Sequence, residues 1–359
     1  MLFSPSQIGS LSLPNRLVRS ATAERMATET GTPLPSLMDL YKELIRGEIG
    51  LLITGHMFIH PSGKCHSEMT AIHQDECLPA LKELTEVVHQ ENGKVVVQIN
   101  HGGSKCSPEV VDQVMAPSAL DQESLTRSAR EMSLDDIQNT IEHFARAAQR
   151  AQRAGFDGVQ IHSAHGYLNS QFLSPLANQR QDEWGGSLEN RSRFLKNVCL
   201  VVREEVGPDF PVLIKFGIAD GIKGGLTLTD GLDLIRQFES WGLDGVEISS
   251  GFSGDIFSSI QQDIDKPEDE GYFLEFARQA RSTTTLPILA VGGFRSRQIM
   301  EKALQEGMAD FISLCRPLIR EPKLPALLRT GEVDASDCLS VNLCWAEKDG
   351  EGISCKCYK

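Results

Sequence analysis

The chain has 359 residues, of which 40% are hydrophobic and 23% charged, and its formal net charge is -14. This length suits one large α/β barrel or two ordinary domains, and the composition is that of a soluble globular protein. The net negative charge argues against nucleic acids and anionic membranes as main partners, so we expect a small-molecule substrate.

Apolar, β-branched runs alternate with amphipathic helical windows along the chain, which is typical of βαβ units around a parallel sheet. Because eight such runs occur, the sequence predicts an α/β fold with a closed (β/α)8 TIM barrel over residues 1–330 rather than an open sheet. The predicted strands are Leu17–Ser20, Leu51–Ile59, Val95–Asn100, Gly158–His162, Val212–Gly217, Gly245–Ser249, Ile288–Gly292 and Phe311–Leu314.

Capping residues mark two of the helices between these strands. Ser133 stands three residues before Asp136 and predicts a helix that Gly155 ends. Ser296 and Gly307 bound a second helix in the same way. The connections after the third and fourth strands are too long for plain turns, and long loops in a compact domain are usually functional.

The fourth predicted strand ends in two imidazoles and a phenol, His162, His165 and Tyr167. Catalytic groups of (β/α)8 barrels lie at the C-terminal ends of strands. We therefore expect the histidines, neutral or cationic, to hold a substrate oxygen and Tyr167 to donate a proton. Satisfied histidines at a strand end are the competing interpretation. We assign no metal, since no carboxylate or third histidine stands at ligand spacing.

Four other strands carry candidate site residues at or near their carboxyl ends. Gln98 lies two residues before the end of the third strand and can both donate to and accept from a heterocyclic amide. Lys215 interrupts an apolar strand, so it either pairs with a structural carboxylate or faces a ligand with negative charge. After the seventh and eighth strands, Gly292-Gly293 and Arg316 occupy the positions where barrels of this kind often bind phosphate.

The order of these motifs resembles the old yellow enzyme family of FMN-dependent NADH:flavin oxidoreductases and ene-reductases. The resemblance runs from about residue 2 to residue 325. It is carried by the following segments: Asn15-Arg16-Leu17-Val18, Gln98-x-x-His101-Gly102-Gly103, Ala116-Pro117-Ser118, His162-x-x-His165-Gly166-Tyr167-Leu168, Phe172-Leu173-Ser174-Pro175, and Arg180-x-Asp182-x-x-Gly185-Gly186-Ser187-x-x-Asn190-Arg191.

This resemblance implies FMN at the barrel mouth and NADH or NADPH as the hydride donor. His162 and His165 would hold the carbonyl oxygen of an α,β-unsaturated substrate, and Tyr167 would protonate its α-carbon. The implied cofactor-binding residues are Ser20, Ala21, Thr22, Gln98, Lys215, Ser250, Gly251, Gly292, Gly293 and Arg316.

Three departures from the family pattern concern the flavin. Family members commonly carry arginine where this chain has Lys215, which offers a point charge in place of a planar fork. Some relatives have a cysteine just after the first strand, whereas residues 21–25 of this chain contain no cysteine. His56 stands where a small residue often packs by the flavin.

The segment 331–359 is predicted to be a cysteine-containing tail. Larger relatives of the dienoyl-CoA reductase type carry a four-cysteine iron–sulfur cluster there, but Val341 replaces one expected ligand, so we expect no iron–sulfur cluster. The competing interpretations are a metal bound in another register and plain surface thiols. Trp345 and Tyr358 are candidate anchors on a neighbouring subunit in a homo-oligomer. The four cysteines are Cys338, Cys344, Cys355 and Cys357.

The absence of a basic leader and of any long apolar run predicts a cytoplasmic protein with reduced cysteines. Two functions compete with the ene-reductase. One is a reductase of a larger unsaturated substrate, such as an acyl-CoA or a ring system. The other is a flavin-binding redox module that has lost catalysis.

Overall fold

The computed structural model describes residues 1–119, 128–344 and 352–357. Eight strands form a closed barrel, each parallel to its neighbours, and their order around the barrel follows the chain. The predicted (β/α)8 barrel is thus confirmed, with every strand end within one residue of its expected place. The strands are β1 (Leu17–Arg19), β2 (Leu51–Phe58), β3 (Val95–Asn100), β4 (Gly158–Ser163), β5 (Val212–Gly217), β6 (Gly245–Ser249), β7 (Ile288–Val291) and β8 (Phe311–Leu314).

Helices lie between successive strands and follow the last one. None of those in the described ranges is both long and apolar enough to span a membrane. They are α1 (Pro35–Arg46), α2 (Leu78–Gln90), α3 (Leu134–Arg153), α4 (Leu168–Leu173), α5 (Leu188–Val206), α6 (Leu228–Phe238), α7 (Leu274–Arg281), α8 (Arg297–Gln305), α9 (Arg316–Arg320) and α10 (Leu324–Thr330).

The predicted cap at Ser133 is formed by a reciprocal pair of hydrogen bonds. The Asp136 N–H donates to Ser133 Oγ at 3.1 Å, and the Ser133 N–H donates to the Asp136 carboxylate at 2.7 Å. This reciprocal capping box satisfies two amide groups that would otherwise lack partners at the start of α3. Ser296 precedes α8 as expected, but its side chain makes no capping hydrogen bond with the described residues, so the predicted cap is wrong there. The long connection after β4 contains α4, which begins directly after Tyr167.

The apolar core has an outer and an inner part. The outer part lies between the strands and the helices. The inner part fills the barrel beside the amino ends of the strands, where a hairpin of Ser6–Ile8 and Leu11–Leu13 closes the barrel from below. Polar inward-facing side chains are therefore confined to the opposite end, where the strands terminate.

The described part of the tail returns to this carboxyl end. The Ser336 N–H donates to the Arg295 carbonyl at 3.0 Å, and the Ile353 N–H donates to the Glu24 carbonyl at 2.8 Å. These contacts tie the tail to the loops that follow β7 and β1. Trp345 and Tyr358, the candidate subunit anchors, lie outside the described residues.

Candidate active site

A cavity of about 340 Å³ opens at the carboxyl ends of the strands. Its walls come from the strand ends and the loops after them, which is where (β/α)8 barrels place their sites. The structure thus brings together residues that the sequence scatters over most of the chain. The predicted site residues that line the cavity are Ser20, Ala21, Thr22, Gln98, His162, His165, Tyr167, Lys215, Gly292, Gly293 and Arg316.

His162 and His165 form one wall, with their ring centroids 5.1 Å apart and their planes nearly perpendicular. His162 Nδ1 accepts a hydrogen bond from the Ala164 N–H at 3.3 Å, so its proton lies on Nε2. His165 Nε2 lies 2.8 Å from Ser249 Oγ. Burial lowers the pKa of His165 to about 3 and that of His162 well below its usual value, so both rings are neutral near pH 7.

His165 has a left-handed backbone, with φ of +60°. Non-glycine residues adopt this conformation rarely, and it often marks a functional position. The His165 N–H donates to the Ser250 carbonyl at 2.9 Å. This hydrogen bond joins the turn after β4 to the loop after β6.

Tyr167 completes this wall. Its ring centroid lies 4.8 Å from that of His162. Burial, with smaller contributions from Cys65 and Cys106, raises the pKa of the phenol above its usual value. The phenol therefore keeps its proton at physiological pH, as a proton donor requires.

Lys215 lies on β5 directly beside His162 of β4, its register neighbour, and has two partners. Its Nζ donates to Ser20 Oγ at 2.7 Å and lies 3.5 Å from Glu247 Oε2. Gln160 Nε2 donates to the same Glu247 oxygen, and Gln98 Nε2 donates to Gln160 Oε1. The lysine thus both pairs with a structural carboxylate and faces the cavity, so the two interpretations of its sequence position are compatible.

Glu247 was missed by the sequence reasoning, although a signal was present. It interrupts the apolar run of β6 and shares the side of that strand on which Ser249 lies. A carboxylate inside an apolar strand needs a buried partner, and Lys215, directly across from it on β5, is that partner.

The predicted phosphate end of the cavity is formed by the loops after β7 and β8. Gly292 and Gly293 have φ of +132° and +73°, and a Cβ on either would lie about 3 Å from the Tyr272 ring. Both the conformation and the space therefore require glycine. Arg316 Nη1 donates to the Gln261 carbonyl at 2.7 Å, the Ser340 carbonyl at 2.9 Å and Asn342 Oδ1 at 2.8 Å.

Two predicted cofactor-binding residues, Ser250 and Gly251, are not among the residues that line the cavity. The Gly251 N–H donates to the Ala219 carbonyl at 2.8 Å, and a Cβ on Gly251 would lie 2.1 Å from Asp220 Oδ1. Ser250 and Gly251 therefore belong to the turn that packs behind His165. Ser249, the residue before them, lines the cavity instead.

The tail cysteines lie near the mouth without forming a metal site in the part of the chain that the structure describes. Cys338 and Cys344 are buried, and Cys355 and Cys357 are half-buried. Burial raises the pKa of Cys344 to about 12, which disfavours the thiolate that metals bind. That the tail holds no iron–sulfur cluster stays a prediction.

The residues of the cavity suit FMN. Lys215 would supply a cation for a flavin ring edge that becomes anionic on reduction, and the glycine pair would leave the backbone accessible to a phosphate. Ser313 Oγ is buried at the cavity wall and has no hydrogen-bond partner among the described residues. A buried polar atom of this kind is expected where a ligand contacts the protein.

A family model and two relatives that match this chain are named as NADH or NADPH oxidoreductases. The model of the NADH:flavin oxidoreductase / NADH oxidase family matches residues 1–334. The NADH oxidase of Thermoanaerobacter brockii is 33% identical over 347 residues, which cover 95% of this chain but 53% of that protein. The NADPH dehydrogenase of Geobacillus sp. (strain WCH70) is 35% identical over 326 residues, which cover 90% of this chain and 92% of that protein.

Among solved structures, a complex of 2-naphthoyl-CoA reductase with 2-naphthoyl-CoA matches with a TM-score of 0.87 at 26% identity. The match covers 94% of this chain and 54% of that one. The chain therefore spans about half the length of the NADH oxidase and of this reductase, and nearly the whole length of the NADPH dehydrogenase.

Proposed function

The chain belongs to the NADH:flavin oxidoreductase / NADH oxidase family, which includes the old yellow enzymes, and we propose that it is an NAD(P)H-dependent flavin oxidoreductase that reduces α,β-unsaturated carbonyl compounds. FMN, when bound, would supply the chemistry of hydride transfer between NADH or NADPH and the β-carbon of the substrate. The remaining steps fall to the side chains of the cavity.

The cavity offers two ends to the cofactor. Gln98 and Lys215, with residues 20–22 after β1, are suited to hold the polar edge of the flavin ring. Gly292, Gly293 and Arg316 are suited to hold its phosphate. Lys215 would stabilise the negative charge of the reduced flavin ring, and Glu247 would limit that effect by partly neutralising the lysine.

The histidine wall has the chemistry needed to polarise the substrate. Neutral His162 and His165 can share the substrate carbonyl oxygen as hydrogen-bond donors, and the negative charge that develops on this oxygen strengthens those bonds. When hydride adds to the β-carbon, the electron pair of the double bond shifts toward the carbonyl. Tyr167 then gives its proton to the α-carbon, which completes the addition of H⁻ and H⁺ across the double bond.

One observation carries this proposal. The protonated phenol of Tyr167 lies within 4.8 Å of the neutral ring of His162, ring centroid to ring centroid, in the cavity that also contains Lys215. Oxygen-binding donors, a proton donor and a cation for a reduced flavin thus share one enclosed space. A non-catalytic flavin-binding module would not need this combination.

A second candidate is a reductase of a larger unsaturated substrate, such as an acyl-CoA or a ring system. The likeness to 2-naphthoyl-CoA reductase favours it. The exposed Lys105 also lies beside Gly166, with its Nζ 5.7 Å from the Phe252 ring centroid, and could contact a charged group outside the mouth. Competition by free coenzyme A against cyclohexenone would support this second candidate.

The proposal is tested by anaerobic absorption spectroscopy of the purified protein after loading with FMN. NADPH or NADH should bleach the flavin band, and cyclohexenone should restore it. A flavin that bleaches but is not reoxidised by enones or enals would reject the proposed substrate class while leaving the flavin assignment intact. Failure to retain FMN would reject the cofactor. A residual broad band near 400 nm, a rough expectation for iron–sulfur centres, together with iron by analysis would indicate a cluster.

A further inference from the structure

His56 faces the cavity because β2 contains a bulge. Leu51 and Ile53 belong to the apolar cluster inside the barrel, whereas Leu52 packs toward the helices. Strict alternation would therefore turn His56 outward. Instead, the β2–β3 register shifts between Ile53 and His56, and beyond this shift His56 lines the cavity while Met57 packs outward. Bulges often re-aim a side chain next to an active site.

Gly55 and Glu24 fix this bulge in place. The Gly55 N–H donates to Glu24 Oε1 at 3.0 Å, and a Cβ on Gly55 would lie 1.9 Å from Glu24 Oε2. Glu24 is itself held by a buried ion pair with Arg19 at 2.8 Å and by the Tyr41 hydroxyl at 2.8 Å. The inward direction of His56 is therefore built into the fold.

Asn100 determines which nitrogen of His56 carries the proton. Asn100 Nδ2 lies 2.9 Å from His56 Nδ1. Because the amide nitrogen can only donate, Nδ1 accepts and Nε2 carries the proton. Burial lowers the pKa of His56 to about 3, with a smaller contribution from His66, so the ring stays neutral. His56 thus presents a fixed N–H donor.

This donor belongs to the same wall as the proposed substrate-binding groups. The His56 ring centroid lies 5.2 Å from that of Tyr167 and 6.1 Å from that of His162. His162 presents its own Nε2–H, as shown by the hydrogen bond that its Nδ1 accepts. Two neutral donors therefore flank the phenol, and His165 lies beyond His162.

We propose that His56 determines substrate specificity in this cavity by donating a hydrogen bond from Nε2 to a second acceptor oxygen, while His162 and His165 hold the first. This inference rests on the proposed function. Hydride addition to a nitroalkene leaves the electron pair of the double bond spread over two nitro oxygens, whereas addition to an enal leaves it on one carbonyl oxygen. His56 therefore favours alkenes whose activating group carries two acceptor oxygens, with nitroalkenes as the test class.

The test compares two substrates that share the cyclohexene ring, 1-nitrocyclohexene and cyclohexene-1-carbaldehyde, on the FMN-loaded protein. His56→Leu fills the space without a donor, and His56→Gln restores an N–H donor at similar size. His56→Leu should lower kcat/KM for the nitroalkene about tenfold more than for the aldehyde. A factor of about ten corresponds to the free energy of one lost hydrogen bond. His56→Gln should recover most of this difference. His143→Ala, a histidine change on α3 outside the cavity, should leave the ratio unchanged.

Equilibrium binding gives a second measurement that needs no turnover. Benzoate presents two acceptor oxygens and phenol presents one, so His56→Leu should weaken benzoate binding about tenfold more than phenol binding in the oxidised protein. Equal losses for both ligands, or no recovery by His56→Gln, would overturn the assignment. If neither alkene reoxidises the wild-type flavin, the proposed reaction fails, but the benzoate and phenol dissociation constants still decide the role of His56.

Discussion

Lys215 and Glu247 form a buried ion pair at the edge of the candidate flavin site, with Nζ and Oε2 3.5 Å apart and neither side chain more than 4% exposed. The cation that faces the cavity is therefore partly neutralised before any ligand arrives. Gln160 donates to the same carboxylate oxygen at 3.0 Å and links the pair to Gln98. Changes in Glu247 should consequently alter both folding and flavin chemistry.

Glu247→Gln should raise the flavin midpoint potential, because an unneutralised Lys215 stabilises the anionic reduced ring more strongly. An added stabilisation of about 1.4 kcal/mol corresponds to about 30 mV for a two-electron couple. The apoprotein should lose about 3 kcal/mol of unfolding free energy, since a buried cation loses its partner. Potentiometric titration and urea unfolding measure the two effects.

Glu275→Gln is the matched control, because Glu275 pairs with Arg278 on the surface of α7. That change should cost less than about 1 kcal/mol and leave the potential unchanged. A Glu247→Gln protein with wild-type potential would show that Glu247 does not influence the flavin.

Tyr167→Phe should slow reoxidation of the reduced flavin by cyclohexenone about 100-fold or more, because the α-carbon loses its proton donor. Reduction of the flavin by NADPH needs no proton from this phenol and should stay near the wild-type rate. Stopped-flow absorbance separates the two half-reactions. Equal damage to both would contradict the role assigned to Tyr167 and indicate a general change in the cavity.

Most of the barrel could be predicted from the sequence because its strands are continuous apolar runs bounded by turn residues. Parallel barrel strands are buried on both faces, so β3 and β5 are recognisable from composition alone. The positions of His162, Lys215 and Arg316 followed from the rule that sites occupy the carboxyl ends of such strands.

The rest of the site depends on backbone details that the sequence does not display. The bulge before His56 reverses the inward–outward alternation of β2. The sequence of β2 alone does not show where its register with β3 shifts. Ser250 and Gly251 lie one and two residues beyond the last cavity-lining position of β6, so a short turn removes them from the cavity. The hydrogen bond of Arg316 to Asn342 joins the barrel to a tail whose path has no sequence signature.

The tail contact predicts a role for Asn342 in cofactor retention. Asn342 Oδ1 and the Ser340 carbonyl hold Arg316 Nη1 at the predicted phosphate end, and Ser340 lines the cavity. Asn342→Ala should free the guanidinium and raise the FMN dissociation constant about tenfold. Fluorescence titration of the apoprotein with FMN measures this constant.

Asn92→Ala, which changes an exposed turn residue after α2, is the control and should leave FMN affinity unchanged. A protein shortened after residue 335 should lose at least as much affinity as Asn342→Ala. Wild-type affinity in both altered proteins would mean that the tail does not support the phosphate end.

His101 should make the fold sensitive to acid. It is 1% exposed, its Nε2 lies 3.0 Å from Ser62 Oγ, and its Nδ1 accepts the Gly103 N–H at 3.1 Å. Burial, with smaller contributions from His60 and His143, lowers its pKa to about 3. The unfolded chain has an ordinary histidine pKa of about 6.5.

Between these two pKa values the unfolded chain binds a proton that the folded protein excludes. The stability contributed by neutral His101 is therefore complete above about pH 6.5 and declines as the pH falls toward 3. For this residue alone the loss at pH 5 is about 2 kcal/mol. Urea unfolding of the wild type and of His101→Gln at pH 7.5 and pH 5 measures it. The variant should lose about 2 kcal/mol less than the wild type over this interval, and an identical loss in both proteins would show that His101 titrates normally in the fold.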